Sequence, residues 1–213
     1  MARRGISARS LVAKRGFDII AATIGLVVLA PILCLIGVAI HLDDRGPILF
    51  RQRRLGRHGV SFTIYKLRTM RVGLGDPSGL RETVADDPRL TRLGGWLRAS
   101  NLDELPQLVN VLKGEMSLVG PRPHVPRMLA AGQYYGALVP HYDQRLQMVP
   151  GITGWAQVNG LRGSTSDPAR ARARIDHDIA YIENFSLWLD IRILWRTLAR
   201  EIWRPSGSGS SQG

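Results

Sequence analysis

The dominant feature of the hydropathy pattern is an unbroken apolar run over residues 19–40, IIAATIGLVVLAPILCLIGVAI, 22 residues without a charged or amide side chain. As a straight helix it would be about 33 Å long, enough to cross the hydrocarbon core of a bilayer. A cleavable leader fits poorly, because the run exceeds a typical signal core and no small-x-small site precedes Asp43 and Asp44. Buried helices of soluble proteins seldom stay apolar around their whole circumference for this length. Membrane insertion is therefore the reading adopted. Pro31 lies near the middle of the run. Proline lacks a backbone donor and clashes with the carbonyl four residues earlier, here Val27, so a sharp bend is expected at Ala30-Pro31. A helix that enters, kinks and returns is preferred to a simple span, although kinked helices also span membranes.

Beyond residue 47 the pattern shortens. Residues 48–52 and 61–67 read as strands joined by a basic, Gly-containing turn at 53–60, a β-hairpin. Residues 72–88, rich in Gly, Asp and Pro, read as a loop, 90–97 as a short helix, and a second helix opens within 100–107. Punctuation by Pro and Gly makes 140–159 mostly irregular; helices return over 168–181 and 186–203, and 206–213 is a Ser/Gly tail. No internal repeat is visible. The expected fold is α+β and mostly helical. It comprises a basic segment 1–18, a re-entrant membrane helix 19–40, a cytosolic domain 41–204 containing the hairpin, and a disordered tail 205–213. In the last helix Leu187, Ile191, Leu194, Leu198 and Ile202 recur at helical spacing, while Arg192, Arg196, Arg200 and Arg204 occupy another face with Trp188, Trp195 and Trp203 between. That pattern suits an amphipathic helix in the headgroup layer and equally an ordinary core helix; a membrane anchor in the same chain favours the former.

Composition narrows the classes. The 213 residues carry 29 Lys+Arg against 17 Asp+Glu, a net charge of +12, with 45% hydrophobic residues. The length suits one domain, or two small ones, with enough apolar content for a real core, and the lone Cys34 excludes an internal disulfide. Residues 1–17 hold five basic residues and 45–75 hold eight, neither stretch with an acid. These two clusters account for the excess and bracket the apolar run. Because basic flanks mark the cytoplasmic side of membrane helices, two such flanks argue for a segment that comes back. A nucleic-acid binder would also explain the charge, but the clusters do not alternate with aromatics and no nucleic-acid motif is present; anionic headgroups are the expected surface partner.

The densest chemical candidate is Asp103-Glu104. Pro106 cannot lie deep in a helix, so both carboxylates fall in or beside a first turn, where free N–H groups favour anions. Adjacent carboxylates suit Mg²⁺. Asn101-x-x-Glu104 also spells a capping box, the commoner meaning of such a turn. Nearby cations are Lys66, one of only three lysines, with Arg68, Arg98 and Arg122, the last set between Pro121 and Pro123 so that its direction is restricted. Asp176-His177-Asp178 resembles a D-x-D metal motif, but it lies in a helix beside Arg172 and Arg174 and is read as a solvated face.

Four blocks then carry a resemblance: Lys66 to Met70 (KLRTM), Asp87 to Gly94 (DPRLTRLG), Leu102 to Pro123 (LDELPQLVNVLKGEMSLVGPRP) and Pro150 to Gly160 (PGITGWAQVNG). In this order they resemble the bacterial sugar transferases, monotopic polyprenyl-phosphate phosphoglycosyl transferases, over about residues 14–197. The resemblance implies transfer of a sugar 1-phosphate from a UDP-sugar to polyprenyl phosphate, with Asp103 as nucleophile, Glu104 helping to hold Mg²⁺, and UMP released. It further implies substrate contacts from Lys66, Arg68, Arg98, Pro121, Arg122, Pro123, Arg145 and Gln157, a bacterial inner-membrane location with the catalytic domain on the cytoplasmic face, and a role in polysaccharide or glycoconjugate assembly. A catalytically inactive scaffold is the alternative, and the oligomeric state stays open, a homodimer included. Two departures stand out: Ala30 precedes the kink proline where family members often have Ser, and the extra N-terminal transmembrane helices of larger members are absent, the minimal type.

Overall fold

The structure, a computed structural model, describes residues 7–76, 78, 83–84 and 87–202. Trp203, Arg204 and the Ser/Gly tail lie outside them. The element order is α1 (Ala8–Asp43), the hairpin β1 (Leu49–Leu55) and β2 (Ser61–Leu67), α2 (Arg92–Ala99), a 3-10 turn Leu102–Glu104, and α3 (Gln107–Lys113). Then come β3 (Ser117–Val119), β4 (Leu129–Ala130), β5 (Gln133–Tyr134), α4 (Tyr135–Leu138), a 3-10 helix Tyr142–Gln147, β6 (Gly151–Thr153), α5 (Trp155–Val158), α6 (Pro168–Glu183) and α7 (Leu187–Ile202). The mostly helical α+β reading and the hairpin hold, and the described part of 72–88 forms neither helix nor strand.

α1 opens on Ser7, whose hydroxyl accepts from the Ser10 N–H, and is helical without interruption through Pro31. Its apolar run is not a core helix: Val27, Val28 and Leu35 are each about two-thirds or more exposed (70, 66 and 71%). One face does pack on the domain. Ala22 joins a core built from Ile64, Leu108, Val111, Val119, Tyr181 and Ile193, while Ile36 and Ile40 pack with Leu67 and Leu97. Both ends of α1 thus rest on the same folded unit.

The base of α1 is fixed by buried polar groups. Lys14 Nζ donates to Asp190 Oδ2 of α7 at 2.6 Å, and the Tyr181 hydroxyl donates to the other oxygen at 2.7 Å. Asp18 accepts from the Leu118 N–H, and Arg15 donates to the Val111 and Leu112 carbonyls, closing the end of α3.

Two expectations are corrected. Residues 140–159 are not mostly irregular: they hold the 3-10 helix Tyr142–Gln147, β6 and α5, and β6 pairs in parallel with β3, Ser117 opposite Gly151 and Val119 opposite Thr153. This pairing partner is remote in sequence, so the local Pro and Gly punctuation conceals it. A Cβ on Gly151 would stand 2.1 Å from the Gly120 nitrogen, so the two strands meet only because position 151 is glycine. In α7, the core-facing residues are Asp190 and Ile193 with Leu189 and Leu194 packed beside them, and the exposed apolar stripe is Trp188, Ile191, Trp195 and Leu198. The buried Asp190 rotates the helix relative to the hydrophobic spacing.

Candidate active site

α2 begins at Thr91, whose hydroxyl accepts from the Gly94 N–H, and it lies so close to the chain leaving β2 that a Cβ on Gly94 would stand 1.9 Å from the Thr69 carbonyl oxygen. This approach sets Arg98 against the end of β2, its Nε donating to Thr69 Oγ1 at 2.9 Å. α2 then ends on Asn101 in the left-handed conformation, φ 55°, which Asn tolerates better than most residues. The turn Leu102–Glu104 follows, and Pro106 leads into α3.

No side chain caps that turn, so the capping box is not formed. Glu104 points instead to the cations: Oε1 accepts from Lys66 Nζ at 2.7 Å and from Arg122 Nη2 at 2.6 Å, with Oε2 3.3 Å from Arg122 Nη1. Burial alone would raise the Glu104 carboxyl, but Arg122 and Lys66 hold it far below the usual carboxylate range. Asp103 is different. It is 6% exposed, and no hydrogen bond to its carboxylate is present among the described residues. Burial raises its pKa, the Glu104 charge adds to that, and Lys66, Arg98 and Arg122 oppose it. Lys66 is itself lowered by burial, against the pull of Glu104. One carboxylate is therefore paired with two cations, mainly through Oε1, and its neighbour receives no hydrogen bond among the described residues.

Arg122 is held by its backbone. The carbonyl of Pro121 accepts from the Gly151 N–H at 2.9 Å, that of Arg122 from Arg145 Nη2, and that of Pro123 from Arg54 Nη1 at 3.0 Å. Three successive carbonyls are anchored from β6, the 3-10 helix and β1, and the two prolines bring no donors to compete.

These groups line one cavity of about 1100 Å³, large enough for a nucleotide-sized ligand. Lys66, Arg98, Asp103, Glu104, Arg122 and Gln157 lie on its wall. Pro123 joins them, while Pro121 and Arg145 do not. Arg145 is 2% exposed and doubly bonded to Asp178, so it acts through the Arg122 carbonyl. Arg68 touches the cavity, but its guanidinium is committed to the end of α1, bonding the Asp44 carbonyl and carboxylate and the Ile40 carbonyl. Asp178 is not on a solvated face. It is 2% exposed beneath Arg145, whereas Asp176 is exposed and paired with His141. Positions 176 and 178 stand about 200° apart on a helix, so one helix face cannot hold both.

Sequence reasoning missed Arg54, whose pKa burial and Arg122 bring down to about 10. The signal was present: Phe50 pairs with Lys66, Gln52 with Ile64 and Arg54 with Phe62, so a period of two from Lys66 through the hairpin reaches Arg54 on the cavity face.

Comparison with known proteins gives one family match and three relatives. The model of the family described as bacterial sugar transferase matches residues 9–204. The exopolysaccharide production protein PSS of Rhizobium leguminosarum bv. phaseoli is 51% identical over 197 residues, covering 92% of this chain and 98% of that protein. An undecaprenyl-phosphate glucose phosphotransferase of Komagataeibacter xylinus is 46% identical over 200 residues, covering 94% of this chain and 38% of its own. A UDP-glucose:undecaprenyl-phosphate glucose-1-phosphate transferase of Caulobacter vibrioides is 49% identical over 185 residues, 87% of this chain and 68% of that one. The chain thus spans nearly all of one relative and about two-fifths of another.

Proposed function

The chain belongs to the bacterial sugar transferase family, and on that premise we propose that it transfers a sugar 1-phosphate from a UDP-sugar to undecaprenyl phosphate. UDP-glucose is the first donor to test, since two of the relatives are named for glucose transfer. The observation that carries the reading is the contrast between the two carboxylates: Glu104 held by Lys66 and Arg122, and Asp103 without a hydrogen bond among the described residues in the same cation-lined cavity.

In the first step an Asp103 oxygen forms a bond to the β-phosphorus of the donor. The bond from that phosphorus to the bridging oxygen breaks, and UMP leaves with the bridging oxygen and its electron pair. In the second step an oxygen of undecaprenyl phosphate attacks the same phosphorus, the bond to Asp103 breaks, and the carboxylate is restored. Splitting the transfer lets the soluble donor and the lipid acceptor use the site in turn. Lys66, Arg98 and Arg122 are placed to offset phosphate charge in a site of low dielectric.

The donor set suits Mg²⁺ completed by phosphate oxygens, which commonly takes one or two carboxylates. The less engaged oxygens are those of Asp103 and Oε2 of Glu104, whose one hydrogen bond among the described residues is the 3.3 Å contact to Arg122. Bound there, Mg²⁺ would neutralise charge on the diphosphate. The activity test is UMP release by membranes given UDP-glucose, undecaprenyl phosphate and Mg²⁺, and no release with any UDP-sugar would overturn the reading.

Glu104→Gln frees Lys66 and Arg122 from their common anchor. UMP release is expected to fall about 10²-fold, as for other losses of positioning near reacting groups; an unchanged rate would remove Glu104 from the machinery.

The proposed location is supported by α1. Its outward face is apolar, α7 exposes Trp188, Ile191, Trp195 and Leu198, and both ends of α1 rest on the catalytic unit. A span would have to lift one end about 30 Å from that unit. We therefore read α1 as re-entrant, with both flanks and the catalytic unit on the cytoplasmic face and α7 in the headgroup layer. Arg9→Cys and Arg45→Cys, each in a Cys34→Ser chain, test this at two exposed sites. Neither is expected to react with an impermeant maleimide from the periplasm, and both should react after lysis; periplasmic labelling of one would mean a span.

A further inference from the structure

Behind the Pro-Arg-Pro segment a chain of buried groups runs from α6 to the cavity wall. Asp178 Oδ2 accepts from Arg145 Nε at 2.9 Å and Nη2 at 2.8 Å. The Arg145 guanidinium lies over the Tyr142 ring, 5.5 Å from its centroid, and the Tyr142 hydroxyl is 3.0 Å from His124 Nδ1. The His124 ring completes a three-ring cluster, 4.9 Å from the Tyr135 centroid and 5.7 Å from that of Tyr142, with the two tyrosine rings stacked 5.4 Å apart. Every member of this chain is buried, yet His124 Nε2 has no protein partner among the described residues.

The His124–Tyr142 bond runs in either direction according to the ring tautomer. In the Nε2–H tautomer the Tyr142 hydroxyl donates to Nδ1. Nδ1 then accepts, and the imidazole proton resides on Nε2 as an unused donor. Burial first, then Arg145, Arg174, Arg54 and Arg122, push the His124 pKa well below its ordinary value, so the ring is neutral. Gln157 supplies the complement. Its Nε2 is committed to the Ile152 carbonyl at 3.1 Å, and its buried Oε1 has no protein partner among the described residues. His124 and Gln157 line the same cavity as Asp103.

We propose that His124 and Gln157 read the uncharged part of the UDP-sugar, His124 donating Nε2–H to a carbonyl or hydroxyl oxygen and Gln157 Oε1 accepting from an N–H or O–H. The assignment rests on the function proposed above and divides the cavity's labour. Lys66, Arg98 and Arg122 meet the phosphates, whereas a neutral donor and a neutral acceptor discriminate between donors, because a ligand lacking the matching group leaves buried polar atoms unpaired. Asp178, Arg145 and Tyr142 are positioning residues that fix the His124 ring.

The test compares three variants of the full chain in membranes. His124→Phe keeps a ring and loses both nitrogens. His124→Asn keeps a group for Tyr142 but none at the Nε2 position, and His124→Gln restores an N–H near Nε2. We expect Phe and Asn to raise the KM for UDP-glucose about tenfold with kcat changed less than threefold, and Gln to recover most of the loss. UMP as an inhibitor locates the group: a Ki raised by the same factor places it on the nucleoside, and an unchanged Ki places it on the sugar. Unchanged KM in Phe and Asn would overturn the proposal. So would an equal fall of kcat in all three with lowered Tm, the mark of a structural histidine. A wild-type chain that releases no UMP from any UDP-sugar would instead sink the function on which the proposal rests.

Discussion

Asp103→Asn is expected to lower UMP release by at least about 10⁴-fold, the scale on which removal of a covalent nucleophile acts. The amide matches the carboxylate in shape but cannot form the bond to phosphorus, so no phosphosugar should be trapped on the protein when labelled UDP-glucose is supplied without lipid. The same variant should not lose stability. The wild-type carboxylate is 6% exposed and receives no hydrogen bond among the described residues, and burial raises its pKa. A carboxyl whose folded pKa lies above its unfolded one is destabilising when ionised, so removing the charge is expected to leave Tm equal or higher. Loss of activity with equal or raised Tm separates a nucleophile from a structural acid. UMP release close to wild type would exclude Asp103 as the attacking group.

The second large effect concerns the seat of α1. Asp190→Ala is expected to destabilise the fold by about 3–5 kcal/mol, the range found when one member of a buried ion pair is removed. Lys14 is 4% exposed with Asp190 as its hydrogen-bond partner, and Tyr181 loses its shorter hydrogen bond and keeps the 3.2 Å bond to the Val119 carbonyl. For a chain of this size such a loss lowers Tm by roughly 10 °C. Lys14→Met combined with Asp190→Leu should recover most of it, because the cost lies in the charge left behind and not in the absence of the pair. A loss below about 1 kcal/mol for Asp190→Ala would put the pair in the class of solvated surface bridges and leave the docking of α1 to its apolar contacts.

How much of this was legible beforehand differs from element to element. The hairpin, α6 and α7 followed from local periodicity, and α1 from the length of its apolar run. Strands β3 and β6 did not, since three-residue parallel strands carry little pattern and Ser117 meets Gly151 across 34 positions. In the site, the carboxylate pair and the Pro-Arg-Pro segment could be picked out from residue type. Their relation could not: from spacing alone Glu104 suited a helix cap, and in the fold it joins Lys66 and Arg122. Arg145 was expected to touch substrate and Asp178 to face solvent, and each is buried against the other.

By itself, then, the sequence determined what depends on neighbours along the chain: an apolar segment long enough to enter a bilayer, basic flanks that favour its return, and an acidic turn set by Pro106. The tertiary structure alone decided which charges meet. Ion pairing depends on distances between residues dozens of positions apart, and with 26 arginines in the chain no spacing rule could single out the one at 122 for Glu104, the one at 145 for Asp178, or Lys14 for Asp190. Burial makes those choices consequential, since a charge taken out of water must find its partner within the fold.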